Sequence, residues 1–288
     1  MNPNQTLNGY QTALSQLDGD GPQYITSNTL DEVSHAKFLN AYLASKGAEP
    51  VNFDAFRTLA GSTATGSSGK KRLTNLLDLN VDTNWFVRYR STTNLDLGGK
   101  APAQALTINN QRTIPENDGD MAAATQAEID HIQVIANAAA FHFGSIEQGG
   151  TSLYATLSQQ VTHPEVLKIT LSIGGSEIAH FLEWVDFAGN GVQAPVAPVS
   201  DSGLTFPNFF TTPVNPRTQP SLIFPVPCEF ISPSLPKCAI IRPTSTENSG
   251  AVAAITGFVE SGLFENQSPT FIDQLFVMAA EADDAVRL

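Results

Sequence analysis

The sequence predicts an all-α protein with one large helical core. Apolar residues recur at helical spacing in several long segments, and residue types that favour helix ends stand at the borders of those segments. Of the 288 residues, 41% are hydrophobic and 15% are charged, which supplies enough apolar material for one core with an appended layer. We therefore expect a globular fold made mainly of helices.

The first clear helix is expected to begin at Ser27 or Asn28, which are residue types that cap helices, and to stop at Gly47. Its apolar side is expected to face the core and consists of Leu30, Val33, Phe38, Leu39 and Tyr42. Glu32 and His35 are predicted to share that inward side. Because a buried carboxylate needs a partner, these two residues become candidates for a functional site.

A long crossover is expected between this helix and the next long one. Within it, residues 71–89 carry leucines and aromatic residues at helical spacing, which predicts an accessory helix. Residues 91–122 are predicted to be irregular.

Two longer helices are predicted after the crossover. The first covers residues 126–160 and is expected to bend or break at Gly149 and Gly150. The second is expected to begin at Pro164, because proline suits the first turn of a helix, and to end before Gly189.

The last third of the chain differs in composition. Residues 189–243 hold most of the prolines, which forbids ordinary helix, and their aromatic content predicts an ordered segment that wraps around the core. Helices over 249–263 and 269–287 are expected to close the chain. The predicted organisation is a helical bundle over residues 1–190, followed over 191–288 by a Pro-rich extension and two helices packed on that bundle.

The formal charge of −13 argues against a nucleic-acid partner, because binding phosphates requires a concentrated basic face. No run approaches the roughly 18 consecutive apolar residues that a membrane span requires. The expected partners are a small-molecule substrate of unidentified class and, as an open option, further copies of the chain.

The chain contains two cysteines, Cys228 and Cys238. Their separation suits a small disulfide loop, and two buried free thiols remain the alternative. A disulfide would indicate an oxidising compartment, so we expect a secreted or periplasmic protein whose leader is not part of this sequence. A cytoplasmic location stays open.

Two Glu-x-x-His pairs are the strongest functional signal. Glu32 with His35 and Glu177 with His180 both lie in predicted amphipathic helices. Residues three apart occupy one helix face, so a carboxylate and an imidazole at this spacing can reach the same cation. Glu147 adds a third carboxylate in an otherwise uncharged, apolar stretch of the helix between them. Carboxylate-bridged two-metal sites in four-helix bundles use this combination of residues.

The order of these motifs resembles the ferritin-like superfamily, in particular the ferritin-like domain proteins related to plant desiccation-related proteins. "DEVSHAKFLNAYL" is similar to the second core helix of that family, "IEQGGTSLY" to the third and "SEIAHFLEW" to the fourth. The resemblance covers about residues 25–190 and implies a ferritin-like helical bundle with a long crossover. The accessory helices and the Pro-rich wrapping segment, which were predicted above from periodicity and composition, complete the expected fold.

The resemblance implies a dinuclear iron or manganese site with five ligands: Glu32, His35, Glu147, Glu177 and His180. Glu32 and Glu177 are expected to bridge the two ions, with the other three residues as terminal ligands. Tyr154 stands seven residues after Glu147, on the same helix face, where its hydroxyl is a candidate to support the ligands, with plain packing in the core as the alternative.

One ligand of the family pattern is not in the sequence, because the first core helix should supply a glutamate and none precedes Glu32. An upstream helix outside this sequence is one explanation. The others are a lost ligand, a single metal ion, or a helix borrowed from a partner.

Two functions from different classes follow. The first is a di-metal oxidoreductase that acts on dioxygen or peroxide. The alternative is a secreted protein associated with stress or desiccation, with a structural or binding role and without a catalytic metal.

Overall fold

The computed structural model describes residues 14–15, 18–63, 79–81, 106–108, 125–185, 187, 225–226, 231–232, 234–236, 238–239, 250–260 and 262–285. Within these residues the helices are α1 (Gly21–Ser45), α2 (Asp54–Thr58), α3 (Gln126–Gln160), α4 (Pro164–Val185), α5 (Ala251–Glu260) and α6 (Pro269–Asp283). The predicted all-α class is thus confirmed for the described part of the chain.

Helix α1 begins earlier than predicted. It starts at Gly21 with Pro22 in its first turn, so the predicted start at Ser27 or Asn28 is wrong. The N–H groups in the first turn of a helix have no partner within the helix. Proline has no N–H to leave unpaired there, so Pro22 suits the start of a helix better than the two polar residues do. The end at Gly47 is confirmed, because Gly47 has a φ of 75° and closes the helix with a pair of capping hydrogen bonds.

The predicted inward side of α1 is wrong for three of its five apolar residues, whereas Leu39 and Tyr42 are half-buried. Leu30, Val33 and Phe38 are exposed, whereas the polar Asn28 is buried. Leu30 lies five residues from His35, about 140° around the helix, so the two cannot face the same neighbour. Among the described residues, α1 contacts α4 through a polar stripe that carries Glu32 and His35. The spacing of the apolar residues alone could not indicate that the polar side of α1 faces α4.

Helices α3 and α4 form the main packing unit. They are joined by the short connection at residues 161–163, and α4 begins at Pro164 as predicted. At one end the rings of Phe143 and Trp184 stack with centroids 4.8 Å apart. At the other end the hydroxyl of Ser158 donates to that of Thr170 at 3.0 Å. The buried apolar residues of the pair are Ala136, Ala139, Ala140, Phe141, Ile173, Phe181 and Trp184.

The predicted break in α3 does not occur, since the helix runs without interruption through Gly149 and Gly150. Glycine weakens a helix but does not end one that is packed against a neighbour. Here the missing side chain of Gly150 leaves room for the carboxylate of Glu177 on α4.

Helix α1 lies antiparallel to α4. Near the start of α1, Gly21 approaches the ring of Phe187, which follows α4. At the end of α1, Tyr42 donates to Glu165 Oε2 at 3.1 Å, and Lys46 Nζ pairs with the same oxygen at 2.6 Å. This direction sets the middle of α1 against the middle of α4.

Two short antiparallel strand pairs accompany the helices. β1 (Leu79–Val81) pairs with β2 (Leu106–Ile108), and β3 (Pro225–Val226) pairs with β4 (Cys238–Ala239). The predicted accessory helix over 71–89 is therefore wrong at residues 79–81, and the predicted irregular segment is wrong at 106–108. The local periodicity of a segment does not indicate whether it pairs as a strand with a segment that is distant in sequence.

Much of the Pro-rich extension lies outside the described residues, and so does Cys228, so the disulfide stays a prediction. Within the described ranges, no helix combines the length and apolar character needed to cross a membrane.

The two closing helices are confirmed with shorter bounds than predicted, and they form a hairpin. Ser268 caps α6 by accepting a hydrogen bond from the backbone N–H of Phe271. The turn between the helices is held to the segment after α2, because the hydroxyl of Ser62 donates to the carbonyl of Glu265.

Asp283, in the last turn of α6, caps α5. Its carboxylate accepts the backbone N–H groups of Ala251 and Val252 at 2.6 and 3.0 Å. The first N–H groups of a helix have no partner within the helix, so one side chain here satisfies two of them.

Replacing Asp283 with alanine is expected to destabilise the protein by about 1–2 kcal/mol, because it removes a helix cap and leaves two N–H groups unpaired. Chemical denaturation followed by circular dichroism measures the change in the free energy of unfolding. The control is Asp284→Ala, at an exposed neighbour, which is expected to leave stability nearly unchanged. Equal losses in both variants would contradict this role for Asp283.

Candidate metal centre

The antiparallel packing of α1 on α4 brings the two Glu-x-x-His pairs together. His35 Nδ1 lies 3.5 Å from Glu177 Oε1, and His180 Nδ1 lies 3.2 Å from Glu32 Oε1. Each histidine therefore meets the glutamate of the opposite helix. The i, i+3 spacing places the Glu and His of each pair on one helix face. Because the two helices are antiparallel, the histidine of each pair lies next to the glutamate of the other pair.

Glu147 joins them from α3. One ligand atom each from Glu32, Glu147, Glu177 and His180 can be chosen so that all four lie within 4.8 Å of one another. His35 stands outside this compact set but next to it, and its ring centroid is 6.3 Å from that of His180. All five residues predicted as ligands thus lie together in the middle of the three-helix arrangement. Their role as ligands stays a prediction.

The centre is closed on one side and open on the other. The side chains of His180 and Glu177 are 2% and 8% exposed, and that of Glu147 is 12% exposed. The side chain of Glu32 is 50% exposed, and that of His35 is 16% exposed. The α3–α4 side of the centre is therefore shielded from solvent, whereas the α1 side is accessible.

The two inner carboxylates face each other. Burial, followed by the negative charge of Glu177, raises the pKa of Glu147 to about 8. Burial, followed by the charge of Glu32, also raises the pKa of Glu177. Carboxylates placed this closely cannot both stay ionised unless a proton or a cation lies between them.

The imidazole of His180 balances part of this charge. Burial alone would lower its pKa, but its contacts with Glu32 and Asp31 raise the pKa of His180 to about 9. The same contact with His180 lowers the pKa of Glu32. Without a metal ion, the centre therefore holds a protonated histidine beside an ionised Glu32.

Asp31 belongs to the centre, although it was not among the residues predicted from the sequence. Its Oδ2 lies 3.2 Å from His180 Nε2 and can accept a hydrogen bond from it. A carboxylate on the far nitrogen holds the proton there, which leaves Nδ1 to face the compact set as a metal ligand. The signal that could have identified Asp31 is its position directly before Glu32 on a helix that runs antiparallel to α4.

Glu183 is a second residue that the sequence did not identify. It stands one turn after His180 beside Asn28, and burial raises its pKa. Glu183 Oε2 and Asn28 Nδ2 are both buried without a hydrogen-bond partner.

Three other residues of interest have distinct surroundings. Burial, followed by the charges of Glu177 and Glu32, raises the pKa of Tyr154 to about 12, so its hydroxyl keeps its proton near the centre. His142 is fully buried against the ring of Phe143, and burial lowers its pKa to about 4. His163 is exposed and accepts the backbone N–H of Glu165 near the start of α4.

The residues present fit a metal ion. His180 Nδ1 is buried, lies 3.2 Å from Glu32 Oε1 and is 3.8 Å from Glu147 Oε2. A buried imidazole nitrogen that faces two carboxylates has the surroundings of a metal ligand. Among the described residues, none of the charges that shift the pKa values of Glu147 and Glu177 comes from lysine or arginine.

Comparison with protein-family models, with curated proteins and with solved structures finds no match to this chain. The resemblance to ferritin-like proteins therefore stays a prediction, and the geometry of the centre carries the functional argument.

The metal-free protein is expected to lose stability as the pH rises from about 5 to about 9. Glu147 and His180 both have folded-state pKa values above their usual values of 4.5 and 6.5. Each therefore stabilises the fold at low pH and loses that contribution as the pH passes its folded-state pKa. Thermal unfolding in the presence of a chelator measures this slope.

The matched variant is Glu147→Gln, which keeps the shape of the side chain but cannot ionise. Its unfolding temperature is expected to fall less between pH 5 and 8 than that of the wild type. A wild-type unfolding temperature that rises over this range would contradict the assignment.

Proposed function

We propose that the chain is a ferritin-like protein that binds two iron or manganese ions in this centre and acts as an oxidoreductase on dioxygen or peroxide. The observation that carries the proposal is the compact set of Glu32, Glu147, Glu177 and His180, in which a buried imidazole nitrogen faces two of the carboxylates. Carboxylate oxygens and imidazole nitrogens are ligands that suit iron and manganese.

The ferritin-like part of the proposal is supported by the arrangement of the helices. Helices α3 and α4 form an antiparallel hairpin, and α1 lies antiparallel to α4 with 80 residues, 46–125, between α1 and α3. A long crossover between core helices is one of the connections that bundles of this type use. The donor residues project inward from the facing helices, as such sites require.

The ligand roles follow from the contacts. Glu32 Oε1 lies within 3.8 Å of Nδ1 of both His35 and His180, which favours Glu32 as a bridging carboxylate. Glu177 approaches His35 and also belongs to the compact set, which favours the same role. Glu147 approaches only His180 of the two histidines and is the proposed terminal ligand.

The remaining residues orient ligands and handle protons. Asp31 fixes the ring of His180 through Nε2. Glu147 and Glu177 release their shared proton when a cation takes its place, and they can accept a proton again when charge at the centre falls. Tyr154 is a nearby donor that stays protonated at neutral pH. A bound pair of redox-active ions would supply electron transfer to dioxygen or peroxide.

Access to the centre is expected from the α1 side. Half of the Glu32 side chain is exposed there, while Glu177 and His180 are shielded by the other helices.

Metal content tests the proposal. After anaerobic loading with Fe(II) or Mn(II) and gel filtration, the full chain is expected to retain about two equivalents. Glu177→Gln keeps the shape of the side chain and is expected to retain less than about half of that amount, because it removes the charge that two ions share. The control is His163→Ala, at an exposed histidine outside the centre, which is expected to load as the wild type does.

The reaction is tested on the loaded protein. Oxygen uptake after Fe(II) addition would indicate dioxygen chemistry, and oxygen release after peroxide addition to the Mn-loaded protein would indicate peroxide chemistry. A folded wild type that retains no metal would contradict the proposal and favour the role of a structural or binding protein.

A pair of adjacent glycines gives a test of geometry. A Cβ at Gly150 would lie 3.3 Å from Glu177 Oε2, whereas a Cβ at Gly149 would meet nothing within 4 Å. Gly150→Ala is therefore expected to displace the carboxylate and weaken metal binding by at least about tenfold, or ~1.4 kcal/mol.

Gly149→Ala is the matched control. It is expected to leave metal affinity unchanged and to stabilise the helix by up to about 1 kcal/mol, because alanine favours helix more than glycine does. Isothermal titration with a divalent metal measures the affinities. Equal affinities in the two variants would contradict the proposed position of Glu177 at the metal.

A further inference from the structure

The donor atoms of the centre are distributed unevenly around its two histidines. His180 Nδ1 lies 3.2 Å from Glu32 Oε1 and 3.8 Å from Glu147 Oε2, and it belongs to the compact set of four residues. We call His180, Glu147, Glu32 and Glu177 the His180 subsite. It combines one histidine with three carboxylates.

The His180 subsite is also the more rigid and more buried side of the centre. Asp31 holds the far nitrogen of the His180 ring, and the side chain of His180 is only 2% exposed. An oriented imidazole ring loses little conformational freedom when it binds a metal ion, so the entropic cost of binding at His180 is small.

The surroundings of His35 differ. His35 Nδ1 lies 3.5 Å from Glu177 Oε1 and 3.8 Å from Glu32 Oε1. Both carboxylates already belong to the His180 subsite. Among the described residues, His35 is therefore the one donor here that is not shared, and its side chain is more exposed than that of His180. We call His35 with these two shared carboxylates the His35 subsite.

We propose that the centre loads in a fixed order, with a first ion bound tightly at the His180 subsite and a second, weaker ion at the His35 subsite. This inference rests on the proposed function and adds the unequal roles of the two positions. Among the residues that the structure describes, the second ion has fewer ligands, so it keeps coordination positions for water or a small ligand. The His35 subsite is therefore the exchangeable position of the centre, and it lies on the accessible α1 side.

Anaerobic titration of the metal-free full chain with Co(II) tests the order of loading, because Co(II) binds at carboxylate and histidine sites and absorbs visible light. The wild type is expected to bind two equivalents in two phases whose Kd values differ by at least about tenfold. Sodium azide, a small anionic probe, is expected to change the cobalt spectrum only after the second equivalent has been added.

Two variants assign the phases to the subsites. His35→Ala is expected to lose the weaker phase and keep the stronger one. Glu147→Gln is expected to weaken the stronger phase by at least about tenfold, because it removes a charged ligand of the His180 subsite. Circular dichroism checks that each variant is folded. Should His35→Ala fail to fold, His35→Gln replaces it, since glutamine keeps most of the side-chain volume.

The outcomes separate this inference from the proposed function. Two equal phases in the wild type, or loss of the stronger phase in the His35 variant, would overturn the loading order and leave the metal centre in place. A single equivalent that is unaffected by His35→Ala would eliminate the His35 subsite. A folded wild type that binds no Co(II) would overturn the proposed function and this inference with it.

Discussion

The organisation of the described helices depends on two carboxylates that are buried opposite each other. Glu147 on α3 and Glu177 on α4 lie where solvent cannot screen their charges, and this raises the pKa values of both groups. Such a pair needs a proton or a cation to be stable in a folded protein. The imidazole of His180 supplies part of the compensation, with Asp31 fixing its ring. The remaining charge is the physical reason to expect a metal ion at this position.

This charge arrangement explains why α1 packs on α4 through polar residues. The polar stripe of α1 carries His35, which approaches Glu177, and Glu32, which approaches His180. Leu30, Val33 and Phe38 consequently point elsewhere and are exposed, whereas Ile25 is buried on the same side as Asn28. The charged and polar contacts of Glu32 and His35 therefore identify the face of α1 that meets α4.

The sequence predicted those features that local chemistry determines. Gly47 ends α1 because a positive φ suits glycine, and Pro164 begins α4 because proline fits the first helical turn. The candidate site could also be predicted from the sequence, since i, i+3 spacing on a helix is a local property. The face of α1 that meets α4 and the role of Asp31 could not be predicted, because both depend on the direction in which α1 crosses α4. The strand at residues 79–81 was missed for the same reason, since its partner is distant in sequence.

The central claim is that a cation replaces the proton held between Glu147 and Glu177. Isothermal titration with Co(II) at pH 7, repeated in buffers of different ionisation enthalpy, measures the number of protons released for each ion bound. The account predicts net proton release by the wild type and a smaller release by Glu147→Gln. Metal binding without proton release, or a release that is unchanged in Glu147→Gln, would contradict it.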